Sequence, residues 1–170
     1  CVTTQPGTAP VGPGIRVTAV ETAAEMAEAV VGLSADAEMV FMAAAVADFR
    51  PVEVADRKIK KEGGVPEIWL EPTVDILAML GRNRRPGQVL VGFAAETHDL
   101  RQNAAAKLRA KGADMIVAND VSASGVGFEH ETNAVVVLDD AGDVVEVPLA
   151  DKREVARAVV DAALARLQTN

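Results

Sequence analysis

The sequence predicts an α/β fold in three layers, with a mostly parallel sheet and an antiparallel hairpin near the carboxyl end. Helical and strand-like patterns alternate through the first two thirds of the 170 residues, as in parallel βαβ units. Aromatic residues make up 3% and hydrophobic residues 49%, so the core has to be aliphatic, which suits strands buried on both faces. Two late strand-like runs flank turn residues 139–142, which indicates the hairpin.

Three strands and one helix are predicted before Pro51. Thr22 and Glu25 have the spacing of a capping box, which starts a helix that continues to about Leu33. Pro51 disfavours helix at Arg50 and leaves an extended or looping backbone there. The predicted strands cover residues 2–4, 15–20 and 39–45, the last of them buried, with a Pro- and Gly-rich loop at 6–14.

After Pro51 comes a charged segment, residues 52–70, which we interpret as a mobile lid that ends in a short strand at 67–70. A helix at 74–80 is predicted to end at Gly81, and a helix from about His98 to Lys111 ends at Gly112. The remaining predicted elements are strands at 88–93, 114–118, 134–138 and 144–148 and a helix at 152–167.

Composition excludes several classes of partner. The chain carries 17 Lys and Arg against 25 Asp and Glu, a net charge of −8, which argues against nucleic acid and against anionic membranes. No apolar run approaches the roughly 18 residues of a membrane span. Cys1 is the only cysteine, which excludes an internal disulfide or a multi-cysteine metal site and favours the reducing cytoplasm.

Polar residues follow three of the predicted strands, where the ligand crevice of an open α/β sheet lies. Asp48 follows the first of these strands, Glu96 the second, and Asn119 and Asp120 the third. Each could instead cap a helix or a turn, since Asp and Asn are favoured there.

Two groups of lysines could bind an anion. Lys58, Lys60 and Lys61 lie within four residues of the lid, and their mutual repulsion would be relieved by a polyanion such as a triphosphate. A solubilising loop is the alternative. Lys107 and Lys111 share one helix face, where the alternative is a solvated surface that complements the helix dipole.

Common catalytic motifs are missing from the sequence. Neither a G-x-x-x-x-G-K-[ST] loop nor a G-x-G-x-x-G turn after a strand is present, and His98 and His130 are isolated. The residues alone therefore predict an anion-binding α/β domain and do not name a reaction.

Six motifs, in order and correctly spaced over about residues 15–168, resemble the phosphopantothenoylcysteine synthetase domain. That domain is the second half of a bifunctional bacterial coenzyme A biosynthesis protein and has a Rossmann-like fold. The motifs cover residues 43–51, 58–61, 74–77, 91–97, 107–111 and 116–120.

The resemblance implies one cytoplasmic, homodimeric ligase domain over residues 1–170, beside a fused or separate phosphopantothenoylcysteine decarboxylase. Its substrates would be CTP, 4′-phosphopantothenate and cysteine, with Mg²⁺ as cofactor and an acyl-cytidylate as intermediate. By motif, Lys58 would be catalytic and would bind phosphate. The nucleotide site would further comprise Asp48, Val74, Asp75, Ile76, Leu77, Phe93, Lys107 and Lys111, with Phe93 facing the base and the last two lysines meeting the triphosphate.

One departure from the family concerns residues 1–40, where its Asn and Ser-Ser-Gly motif has no match. We therefore expect the chain to begin at the second strand of the domain. The alternatives left open are a nucleotide-binding fragment without turnover and a dinucleotide-binding reductase, which rests on fold alone.

Overall fold

The computed structural model describes residues 1–55, 57–60, 65–122, 130–142 and 144–169. The described elements in chain order are β1 (Val2–Thr3), a 3-10 turn (Pro6–Thr8), β2 (Thr18–Ala19), α1 (Ala23–Ser34), β3 (Met39–Met42), β4 (Phe49–Pro51), β5 (Leu70–Pro72), α2 (Ile76–Asn83), β6 (Val89–Glu96), α3 (Leu100–Lys111), β7 (Met115–Asp120), β8 (Thr132–Asp139), β9 (Val144–Asp151) and α4 (Lys152–Thr169).

The chain divides into two compact units. The first comprises Cys1–Val30 and Ala44–Asp75, and the second comprises Val31–Ala43 and Ile76–Asn170. The single-domain organisation and the boundaries of the lid stay predictions.

In the first unit, β1 and β2 form a short parallel pair with Val2 opposite Thr18. Both strands are shorter than predicted. Their ladder ends at a bond from the Thr18 N–H to the Cys1 carbonyl on one side and at a bond from the Val20 N–H to the Thr3 carbonyl on the other. The predicted loop between them contains the 3-10 turn, which places Pro6 in its first turn, where a missing N–H costs nothing.

The capping box at the start of α1 is confirmed. The Glu25 N–H donates to the Thr22 hydroxyl at 3.2 Å, and the Glu25 carboxylate accepts the Glu21 N–H at 2.8 Å. The carboxylate thus reaches one residue further back than in the usual capping box, where it would accept the N–H of the capping residue itself.

The first unit also contains a two-stranded antiparallel ribbon of β4 and β5, in which Arg50 lies opposite Glu71. Of the extended or looping backbone allowed at Arg50, the extended alternative is confirmed as a strand, and the strand predicted at 67–70 instead starts at Leu70. Pro51 and Pro72 fit because they occupy ladder positions whose backbone nitrogen faces the open edge of the ribbon, where no hydrogen bond to the partner strand is made.

The second unit contains a five-stranded sheet in the order β3-β6-β7-β8-β9. β3, β6 and β7 are parallel, whereas β8 and β9 extend the sheet as an antiparallel hairpin. The predicted sheet with its carboxyl-terminal hairpin is confirmed.

The helices of this unit produce the predicted three layers. α4 buries Val155, Val159 and Ala163 against a cluster that includes Val89 and Val91 of β6. Alternate residues of β6 face the other way, where α2 and α3 pack. The sheet is therefore enclosed between α4 on one face and α2 with α3 on the other.

β3 was predicted as a buried strand over 39–45, but its pairing stops at Met42 and it is only partly buried. Within the described residues it is an edge strand that pairs with β6 alone. An edge strand lacks a neighbour on one side, which leaves Phe41 partly exposed. The other predicted elements differ from the observed ones by one to three residues at their ends.

Gly81 does not end α2, as the sequence pattern predicted, because the helix continues to Asn83. A Cβ atom built on Gly81 would lie 1.9 Å from the carbonyl oxygen of Lys111. Glycine is therefore needed for the close approach of α2 to the end of α3. Gly112, by contrast, ends α3 as predicted, with a φ of 61°.

The carboxylate of Asp114 is the principal buried charge of the second unit, with 1% of the residue exposed. One oxygen pairs with the Arg84 guanidinium, and the other accepts the Leu90 N–H at 2.7 Å. The backbone of Asp114 also bonds to Leu90 and Asp140. A single residue thus connects the loop after α2, the strands β6 and β7, and the turn after β8.

We expect Gly81→Ala to lower the free energy of unfolding by about 1–3 kcal/mol, because the added methyl meets backbone that cannot rotate away. The control is Gly32→Ala in α1, where nothing lies within 4 Å of the new Cβ. There the higher helix propensity of Ala should stabilise by up to about 1 kcal/mol. Urea unfolding measures both, and equal effects would contradict the packing role.

We expect Asp114→Ala to destabilise by about 3 kcal/mol or more, since it leaves the buried Leu90 N–H without its acceptor and Arg84 without its partner. Glu146→Ala is the matched control, because its pair with Arg101 is exposed and should contribute less than about 1 kcal/mol. Urea unfolding of the two variants provides the comparison. A small loss for Asp114→Ala would show that the sheet tolerates the missing carboxylate.

Candidate functional site

The ribbon brings two sequence-predicted site segments together in the first unit. Its ladder continues one step beyond each end. At one end the Thr73 N–H donates to the Asp48 carbonyl at 2.9 Å, and at the other end the Val52 N–H donates to the Trp69 carbonyl at 2.9 Å. Asp48 thus lies beside the strand that leads directly into Val74 and Asp75. Asp48, Val74 and Asp75 are all exposed, so their side chains face solvent.

Lys58 belongs to the segment that leaves the far end of this ribbon. Lys58 and Lys60 are exposed, as expected of ammonium groups that would approach an anion from solvent. Lys61 lies outside the described residues, as do parts of the lid. The lid and its closure on phosphates therefore stay predictions.

The residues predicted to border the cytidine belong to both units. Those in the first unit are exposed, as described above, whereas those in the second unit are partly or fully buried. Ile76 and Leu77 in the second unit are 3% and 9% exposed, and Leu77 packs against Gly92 of β6. Their side chains belong to the core, so a ligand would reach this part of the motif through the backbone.

Phe93 is half-buried and packs against the cluster beneath α4. Since β6 alternates its faces, Phe93 and the Leu77 contact at Gly92 lie on opposite faces of the sheet. A base that touched both would have to lie across the carboxyl end of β6.

The carboxyl ends of β6 and β7 carry further polar groups, with Glu96 directly opposite Asp120. Asn103 of α3 donates to the Glu96 carboxylate and to the His98 carbonyl, both at 3.0 Å. Asp120 accepts the Ser122 N–H at 2.9 Å, so the turn-capping interpretation holds for this aspartate.

Lys107 and Lys111 are half-buried on α3, which runs from the carboxyl end of β6 back toward the start of β7. Its 12 residues span about 18 Å at 1.5 Å per residue. Lys111 lies beside Gly81, at the end of the sheet opposite Glu96. The triphosphate contacts of both lysines stay predictions, and Lys111 is the more distant from the carboxyl ends.

A cavity of about 250 Å³ lies elsewhere in the second unit, between α4 and the β8–β9 hairpin. It is lined by Met115 at the start of β7 and by Arg166 near the end of α4. This cavity is therefore at the amino end of β7, away from the polar groups of the candidate site.

Two absences hold for the described ranges of the chain. Within them, no three His, Cys, Asp or Glu side chains form a group that could hold a metal ion. None of the helices in these ranges is long and apolar enough to cross a membrane.

Thr73 is the site residue that sequence reasoning missed. Its hydroxyl donates to the Ala47 carbonyl, in addition to the bond from its N–H to Asp48. A β-branched residue with a hydroxyl between Pro72 and the Val74–Asp75 pair was the available signal. The predicted strand at 67–70 ends before Thr73, so the sequence pattern does not pair this residue with the Asp48 segment.

The fold and the polar groups at its strand ends define a Rossmann-like α/β protein of the kind that binds ligands beyond the carboxyl ends of parallel strands. A family model described as "DNA/pantothenate metabolism flavoprotein C-terminal domain" matches residues 2–167. The chain belongs to this family, and the resemblance stated from the motifs is confirmed.

Individual relatives agree with this assignment. The coenzyme A biosynthesis bifunctional protein CoaBC of Bacillus subtilis is 46% identical over 136 residues, which is 80% of this chain and 33% of that protein. A cysteine/cysteine sulfinic acid decarboxylase from an unknown prokaryotic organism is 44% identical over 146 residues, covering 86% of this chain and 41% of that protein. The chain thus spans well under half of the length of these relatives.

A solved structure shows the same fold. The crystal structure of the C-terminal domain of CoaBC superimposes with a TM-score of 0.77 at 36% identity, covering 96% of this chain and 71% of that one. The predicted α/β class is therefore confirmed by a relative as well as by the strand order.

Proposed function

We propose that this chain catalyses the CTP-dependent ligation of L-cysteine to (R)-4′-phosphopantothenate in coenzyme A biosynthesis. The family assignment and the identity to CoaBC proteins support a ligase of this pathway. A decarboxylase fused to the chain is part of the proposal, since the CoaBC relatives are bifunctional and much longer.

The proposed reaction has two steps. A carboxylate oxygen of phosphopantothenate attacks the α-phosphorus of CTP, the bond to the β-phosphate breaks, and pyrophosphate leaves. The cysteine amine then attacks the acyl carbon of the acyl-cytidylate, the acyl–oxygen bond breaks, CMP leaves and the nitrogen loses a proton. Both steps develop negative charge on phosphate oxygens, which a positioned cation stabilises.

The ribbon is the single observation that carries the proposal. It holds Asp48 beside the segment that leads into Val74 and Asp75, and from its other end it extends the chain toward Lys58. Four residues that the family motifs assign to the nucleotide are thereby attached to one small element. An exposed carboxylate at one end of the ribbon and an exposed ammonium group on the segment that leaves its other end suit a ligand with a sugar at one end and phosphates at the other.

We propose that Mg²⁺ binds together with the triphosphate. Asp48 and Asp75 are exposed carboxylates of the first unit. A donor set of one or two carboxylates fits the way proteins bind Mg²⁺ together with substrate phosphates. When bound, the ion would neutralise part of the charge on the triphosphate.

We propose a cytoplasmic homodimer, with the ribbon at the interface between subunits. Phe49, Trp69 and Leu70 are 59%, 73% and 58% exposed, an unusual concentration of large apolar side chains on so short an element. Burial of such side chains against a second copy would remove them from water. Analytical ultracentrifugation should show a dimer that weakens when Trp69 is replaced by Ser, and a monomeric parent protein would contradict the proposal.

The direct test measures pyrophosphate release with CTP and phosphopantothenate, before and after addition of cysteine. We expect release that depends on both substrates, and phosphopantothenoylcysteine only when cysteine is present. The assay uses the protein at its natural full length, with ATP and NADH as competitor nucleotides. Failure to release pyrophosphate under these conditions would overturn the ligase proposal.

A nucleotide-binding fragment without turnover is the second candidate, because residues 1–40 lack the family's Asn and Ser-Ser-Gly motif. For the chain of residues 1–170 alone, this candidate predicts that CTP raises the Tm while pyrophosphate release stays at background. Turnover by that chain would exclude it.

Lys58→Ala should lower kcat by about 100-fold or more while the Kd for CTP changes less than about 10-fold, because the cation acts mainly on charge that develops in the transition state. Lys152→Ala removes the same charge at an exposed position at the start of α4 and should leave both values near those of the parent. Steady-state kinetics and calorimetric titration with CTP give the two numbers. Equal kcat values for Lys58→Ala and the parent would refute the catalytic role.

A further inference from the structure

Thr73 contacts the Asp48 segment at two consecutive carbonyl groups. Its N–H donates to the carbonyl of Asp48 at 2.9 Å, and its hydroxyl donates to the carbonyl of Ala47. These two carbonyls flank the Cα atom of Asp48. Fixing both of them fixes the backbone dihedral angles of Asp48 and therefore the direction in which its side chain leaves the chain.

The side chain of Asp48 has little else to hold it, because the residue is exposed and lies one position before β4 begins. The strand ladder alone would supply the bond from the Thr73 N–H, as it does for any paired residue. The hydroxyl adds a second bond that the ladder does not provide. Thr73 itself is half-buried, whereas the hydrogen bond lies at an exposed position.

Thr73 is also joined covalently to the second motif, since Val74 and Asp75 follow it directly. One residue therefore fixes the distance and orientation between two segments that are 27 positions apart in the chain, counted from Asp48 to Asp75.

We infer that Thr73 is a positioning residue of the nucleotide site, whose hydroxyl aligns Asp48 with the Val74–Asp75 segment. This inference rests on the proposed function for the identity of the ligand. It does not place Thr73 in contact with substrate, since the hydroxyl acts through the Ala47 carbonyl.

The test compares Thr73→Val, which keeps shape and the backbone bond but lacks the hydroxyl, with Thr73→Ser, which keeps the hydroxyl. In the protein at natural full length, Thr73→Val should raise both the KM and the Kd for CTP about 5- to 10-fold, with kcat and the KM for phosphopantothenate within about 2-fold of the parent. Thr73→Ser should restore the parent values. Thr8→Val is the matched control, because that hydroxyl also donates to a backbone carbonyl, of Gln5, in the 3-10 turn.

A double-mutant cycle identifies the residue through which Thr73 acts. If the hydroxyl works through Asp48, then Thr73→Val should change the Kd for CTP less than 2-fold when Asp48→Asn is already present. Full additivity of the two changes would overturn the inference even if each variant is weakened.

The remaining outcomes separate this inference from the proposed function. A parent protein that ligates or binds CTP, with a Thr73→Val variant of unchanged KM and Kd, overturns the positioning role alone. A uniform loss of kcat with unchanged KM would indicate a structural role and would also overturn it. A parent protein that neither binds CTP nor releases pyrophosphate overturns the proposed function together with this inference.

Discussion

The sheet of the second unit depends on one buried carboxylate. Asp114 uses one oxygen for the Arg84 guanidinium and the other for the Leu90 N–H, while its own backbone bonds to Leu90 and Asp140. Because a buried charge is tolerated only when it is fully bonded, these partners have one geometry in which all are satisfied. That geometry sets the register of β7 between a parallel and an antiparallel neighbour, and so determines which residues reach the strand ends.

The candidate site is built on a different principle. Asp48 and Asp75 are exposed, and what holds their segments together is backbone pairing in the ribbon rather than apolar burial. Two strands alone are marginally stable in water, so side-chain bonds at the ends of the ladder matter more there than in a five-stranded sheet. The hydroxyl of Thr73 supplies such a bond at one end of the ladder, and the pair between Arg50 and Glu71, at 2.7 Å, joins the two strands at the centre of the ribbon.

Periodicity predicted the strands and helices of the second unit well, because their burial is strong and their caps are local, as at Gly112. The prediction that α2 ends at Gly81 was wrong, because the sequence does not distinguish a glycine that permits close contact between helices from a glycine that ends a helix. The sequence pattern leaves residues 49–51 extended or looping, because the pairing of β4 with β5 joins residues about 20 positions apart and leaves no periodic signal. For the candidate site, the motifs predicted the residues, whereas the relation of Asp48 to Thr73 arises only from that long-range pairing.

Motif membership and exposure to solvent are also separate properties in this chain. Ile76 and Leu77 belong to one of the motifs, yet their side chains are buried in the packing of α2. Val74 and Asp75, which precede them in the same motif, are exposed. A motif of four residues that crosses from a ribbon into a helix would have to satisfy both the proposed ligand and the core, which would account for its mixture of a carboxylate with aliphatic side chains. Substitutions at Ile76 or Leu77 would therefore act on stability first, whereas under the proposed function those at Asp75 would act on nucleotide binding.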